Sequence, residues 1–224
     1  MPILAGFHVE GNDHLILHAL VAKVLSIPEA HISVDFIDAP GRGWKFVLEF
    51  IPKALKRFYG QCAQFAVIGI DNDGNVDLDQ AAVNEDPHHP RHDNHPGATN
   101  AICRYCMIAQ AVAGVRPQLN WIQKKPGFTW PILIAVPVEM IETWLLTLQG
   151  KQGVHRRPRS VLKQLLYGKP VATRDDVTNV ALPLVRAMTA VDLANLTQAS
   201  ASFRNFHDQI VGAQAYIHGN ADCW

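Results

Sequence analysis

The chain has no apolar run approaching the ~20 residues a helical membrane span requires. It has no GxxxxGK[ST] phosphate loop and no GxGxxG turn, which argues against a nucleotide-triphosphatase motor or a dinucleotide enzyme. No internal repeat and no low-complexity tract interrupts it. Cysteine is sparse: of Cys62, Cys103, Cys106 and Cys223, only Cys103 and Cys106 show a regular spacing, so no dense disulfide framework is expected. The start, Met-Pro-Ile-Leu with His8 and Glu10 soon after, lacks a charged region ahead of an apolar signal core, and the expected compartment is the cytoplasm. Formal net charge is zero, so a nucleic-acid partner, if there is one, must be argued from local patches.

What is present suits a packed protein. With 224 residues, 48% apolar and 18% charged, the chain can bury the core of one domain carrying an elaborated insertion. Ile3 to Val9 reads as a strand ending in Glu10-Gly11, and Asn12 and Asp13 offer a cap for a helix through Leu15, Ile16, Ala19, Leu20 and Val24. Ile32 to Ile37 reads as a second strand, closed by the loop 38–43, and Phe46 to Tyr59 as a helix. "CAQFAVIGIDNDGN" (62–75) is a buried strand, a continuous apolar run halted by Asp71, Asn72, Asp73 and Gly74. A polar stretch follows, then a helix from Thr99 to about Ala113. "WPILIAVPVEMIETWLLTL" (130–148) repeats the first pattern, with a strand through Val136, a break at Pro137, and a helix carrying Glu139 and Glu142. From Gly150 onward the chain reads as helical, in "SVLKQLLYG", "DDVTNVALPLVRAMT" and "SASFRNFHDQIVGAQAYI". Strands alternating with helices predict an α/β fold, a mostly parallel sheet with helices on both faces.

In such a sheet ligands gather where strands end at their carboxyl edge. Glu10, Asp71 and Asp73 all lie just past predicted strand ends, and if those strands are neighbours the three carboxylates share one crevice. Hard cations such as Mg²⁺ take oxygen ligands, commonly one or two carboxylates plus water and phosphate. The plainer alternative is that Asp-Asn-Asp-Gly is only a turn and Glu10 only a polar residue ahead of a helix. Glu139 and Glu142, three residues apart on one helical face, are the next candidates for an extra carboxylate, and Glu139 sits closer to the strand end. The alternative for Glu139 is simple preference for the positive end of its helix.

These pieces, "FHVEGND", "VIGIDNDG" and "IAVPVEMIETWLL", resemble the Toprim domain shared by topoisomerases, primases and nucleases of the overcoming-lysogenization-defect group, especially small stand-alone Toprim-like proteins linked to phage defence. The resemblance covers roughly residues 1–150. It implies a Rossmann-like fold with a metal-dependent phosphoryl-transfer centre: Glu10 as general acid or base or as a ligand, Asp71 and Asp73 holding Mg²⁺ or Mn²⁺, and Glu142 favoured over Glu139 because the resemblance centres on "E-x-W-L". It also implies a trigger, a sensor or ATPase partner protein that restrains the activity; a homo-oligomer is left open. Topoisomerases need a nucleophilic tyrosine from another domain, so hydrolysis by water is the simpler expectation here.

"PHHPRHDNHPGATNAICRYC" (87–106) holds four histidines and a Cys-x-x-Cys, and lies in an insertion spanning 75–115. Two thiolates at that spacing can reach one zinc ion, so Cys103 and Cys106, with His88 or His89 and His92 or His95, are candidates for a structural site; His89 and His95 are the pair adopted. Buried small residues or a redox pair are the other readings. A metal nuclease of the ββα type is disfavoured because no hairpin is visible.

Seven cations and no acid lie between Lys151 and Arg174, whereas seven acids lie between Asp71 and Asp93 with Arg91 alone of opposite sign. A phosphate backbone crossing beside a metal pocket would need that layout, with Arg156, Arg157, Arg159 and Lys163 as contacts and a helix aiming Lys163 and Arg159 at the scissile phosphate. A solvated charged surface is the alternative. For Phe203 and Phe206, core packing is a cheaper explanation than base stacking. The expected organisation is a catalytic domain over 1–150 and a helical cap with a basic patch over 151–224. The expected activity is metal-dependent cleavage of DNA or RNA. The rivals are an inactive module that binds a partner or nucleic acid, and a phosphotransfer enzyme acting on small nucleotides.

Overall fold

Four parallel strands make one sheet in the order β2-β1-β3-β4, with β1 at Ile3–Val9, β2 at Ile32–Phe36, β3 at Phe65–Gly69 and β4 at Ile132–Ala135. The computed structural model describes residues 2–38, 43–71, 104–123, 130–137, 140–154 and 157–219. Successive strand residues point to opposite faces. Phe7, Val9, Phe65, Val67, Leu133 and Ala135 enter one core, while Ala66, Ile68, Ile132 and Ile134 enter another. Both faces of β3 and β4 are therefore covered, which is why those strands read as unbroken apolar runs rather than alternating ones.

On the second face lie α2 (Trp44–Gly60) and α3 (Arg104–Gln123). The first face carries α1 (Asp13–Val24), α4 (Glu142–Leu148), α5 (Arg159–Tyr167), α6 (Arg174–Ala187), α7 (Ala190–Ala199) and α8 (Ala201–Gly219). α6 passes through a π-type turn at Val177–Ala181. The result is the expected α/β architecture, a Rossmann-like parallel sheet flanked by helices. No single helix among the described residues is long and apolar enough to cross a membrane; α6 and α7 meet that test only together, and they are bent by 103°.

Two details fix the layers. A Cβ on Gly6 would lie 2.1 Å from Cγ of Phe58, so only glycine in β1 lets α2 pack at this distance. On β4, Gln209 of α8 stands in for a neighbouring strand: its Nε2 donates to the Ile134 carbonyl at 3.0 Å and its Oε1 accepts from the Ile134 amide at 2.8 Å. A side chain thereby covers backbone groups that would otherwise invite another strand.

The structure departs from the sequence reading in two helices. α3 continues through Pro117 to Gln123 instead of stopping near Ala113. α7 was not anticipated, although Thr189 and Asp192 form a capping box at its start, with the Asp192 amide donating to Thr189 Oγ1 and the Thr189 amide to Asp192 Oδ2. Phe203 and Phe206 are fully buried against Trp144, as core packing requires.

Candidate functional site

β1 is flanked by β2 on one side and β3 on the other, so the chain changes direction across the sheet between β1 and β3. That switch point opens a crevice at the carboxyl edge. Val9 is in register with Gly69, and Glu10 and Asp71 follow from adjacent strand ends. The Asp71 amide donates to Glu10 Oε2 at 3.4 Å. Gly11, with φ of +54°, makes the left-handed exit from β1, and the Asp13 amide closes the turn on the Glu10 carbonyl at 3.2 Å.

A cavity of about 740 Å³ sits over these strand ends. Glu10, Asp13, Asp38, Asp71 and Glu142 supply its carboxylates, and Arg159 and Lys163 its cations. Glu142 comes from the first turn of α4, where the helix dipole favours a negative charge. Arg159 and Lys163 lie four residues apart on α5, hence on one face. Arg159 Nη2 donates to Asp71 Oδ2 at 2.5 Å. The other oxygen, Asp71 Oδ1, is buried and has no hydrogen-bond partner among the described residues.

Charge crowding governs the floor. Burial, then the neighbouring Asp13, push the Asp71 carboxyl well above its ordinary pKa, against the pull of Arg159. Burial, then Glu142 and Glu10, do the same to Asp13. Glu142 is raised by burial, although its own amide and the charges of Lys163 and Arg159 oppose this. The Tyr167 phenol is raised by burial and by Glu142; its hydroxyl is near enough to feel that carboxylate while falling outside strict hydrogen-bond geometry.

An all-oxygen donor set, crowded buried carboxylates and an orphaned Asp71 oxygen fit a hard divalent cation. Among the described residues no group of three or more His, Cys, Asp or Glu is arranged to enclose a metal ion. A cation here would be held by one or two carboxylates, with water or a phosphate oxygen completing its shell.

The structure thus brings Glu10, Asp71, Glu142, Arg159 and Lys163 together. Arg157 is exposed. Asp73, His89, His95, Cys103, Glu139 and Arg156 lie outside the described residues. Cys106 is half-buried in α3 and not in a disulfide, whereas Cys62 is disulfide-bonded. Asp13 corrects the cap reading: Asn12 is the N-cap, without a side-chain bond, and Asp13 belongs to the pocket. Asp38, two residues beyond β2, also lines the cavity and was missed. Applying the strand-end rule to every acid within a few residues of a predicted strand would have found both. Comparison with protein-family models, with curated proteins and with solved structures finds no match.

Proposed function

We propose that the chain is a Toprim-like nuclease that cleaves nucleic-acid phosphodiester bonds with Mg²⁺ or Mn²⁺ in this cavity. The observation that supports it most is the joining of five carboxylates and two cations at the switch point of a parallel sheet. A bound divalent cation would polarise the phosphate and generate the attacking hydroxide from water. Asp71, with one oxygen unpartnered among the described residues, and Glu142 would hold the cation; Glu10, less buried, would take a proton from water. Lys163 and Arg159 line the same cavity and would hold the non-bridging phosphate oxygens.

The wider reading rests on the resemblance: a cytoplasmic effector of an anti-phage system, released by a sensor or ATPase partner protein. A zinc-stapled insertion carrying Cys103, Cys106, His89 and His95 belongs to that proposal. The second reading, phosphotransfer on small nucleotides, draws on the cavity volume of about 740 Å³, which is in the range of small-ligand sites. Incubating the protein with DNA, RNA and mononucleotides under Mg²⁺, Mn²⁺ or chelator separates the readings. Chelator-sensitive scission of a polynucleotide supports the nuclease, turnover of mononucleotides alone supports the second, and inertness toward all of them supports a binding module.

A further inference from the structure

Asp71 is 3% exposed, and it lines the cavity with one oxygen unpartnered among the described residues and the other accepting from Arg159. A cation arriving at the unpartnered Oδ1 would compete with the guanidinium on Oδ2 for the single negative charge of this carboxylate. We propose that Arg159 is a displaceable counter-ion: it sets the threshold for divalent-cation binding at Asp71 and, once displaced, engages the substrate phosphate at the cavity mouth. This rests on the metal-dependent reading above.

Two asymmetries carry it. The Arg159 side chain is 44% exposed while that of Asp71 is 4% exposed, so the arginine can leave into water without a desolvation penalty and the aspartate cannot. Arg159 is also the first residue of α5, after the N-cap Pro158. A cation there sits at the unfavourable end of the helix dipole, a cost that the ion pair with Asp71 offsets. Lys163, one turn further, acts on Glu142 and Asp13 through its charge as Arg159 also does, but it makes no ion pair with Asp71, which makes it the control. Displacement of Arg159 by a cation and its transfer to a phosphate would couple metal loading to substrate binding in one side chain.

Titration calorimetry of the full chain with Mn²⁺ alone, at pH 8, tests this with wild type, Arg159→Gln, Arg159→Lys and Lys163→Gln. Arg159→Gln is expected to bind Mn²⁺ about tenfold more tightly than wild type, and Lys163→Gln to gain much less. Arg159→Lys should fall between wild type and Arg159→Gln, and it decides the matter if Arg159→Gln melts poorly. Mn²⁺ binding by Arg159→Gln alone would also support the proposal. Wild type that binds Mn²⁺ while Arg159→Gln gains no more than Lys163→Gln would overturn the counter-ion role and leave the metal site standing. Absence of binding in every variant would remove both.

Discussion

The backbone amide of Asp71 points at the Glu10 carboxylate across the gap between β3 and β1, 3.4 Å from its Oε2. Residues 61 positions apart in the chain are thereby held at one strand edge by the pairing of Val9 with Gly69. The site is a product of sheet register, and its chemistry follows from the charges that register confines.

Confinement makes stability depend on pH in a definite direction. The Asp71 pKa is higher folded than unfolded, so its contribution to stability is fully present below the unfolded carboxyl value of ~3.9 and is lost as pH rises through the folded value. Asp71→Asn removes that loss. The variant is expected to be more stable than wild type by about 0.5–2 kcal/mol at pH 8 without divalent cations, and to lose the advantage near pH 4. Thermal melts of both proteins across pH, read as a difference, check this; a variant less stable than wild type at pH 8 would show that the ion pair with Arg159 outweighs burial and repulsion.

His8 fastens the cavity wall. Its ring nitrogens lie 3.0 Å from the Ile37 carbonyl oxygen and 2.9 Å from that of Val47, on a fully buried side chain. His8→Leu should cost about 1–3 kcal/mol, because the hydrogen bond that the ring N–H donates to a buried carbonyl is lost and that carbonyl is left unpaired. Since Asp38 and Val47 line the cavity, the substitution should also weaken Mn²⁺ binding. Denaturant unfolding and calorimetry report the two effects separately.

Gly6 tests the packing of α2 on the sheet. Gly6→Ala would place a methyl inside the Phe58 ring envelope, and overpacking of this kind costs about 1–3 kcal/mol or more. Pairing it with Phe58→Leu should recover part of the loss in a double-mutant cycle; purely additive losses would mean that the clash is relieved elsewhere.

How much of this is legible in the chain depends on range. The strands are read from local apolar runs, and the parallel sheet from their alternation with helices. Glu10 and Asp71 follow from the strand-end rule alone. Asp13 is obscured because an acid in a helix's first turn has a sufficient local explanation. The Arg159 contact with Asp71 spans 88 positions and depends on how α5 returns to the sheet, which no local pattern encodes. α7 hides for a different reason: a capping box after Met188 was available, but its residues are exposed enough to leave a weak apolar stripe. Glu142 lies between these cases, since its selection over Glu139 rests on the resemblance at "E-x-W-L" rather than on any local pattern, and the helix begins at Glu142.

The central claim is that Asp71 and Glu10 serve divalent-metal-dependent scission of nucleic acid. The most direct measurement compares cleavage of DNA and RNA by wild type, Asp71→Asn and Glu10→Gln with Mn²⁺ or Mg²⁺, each protein shown to be folded by its melting curve and assayed with and without co-expressed genomic neighbours. The account predicts cleavage by wild type that chelator abolishes, and a loss of about 10²-fold or more in each variant. Folded wild type that cuts nothing under any of these conditions, or variants that cut at the wild-type rate, would contradict it.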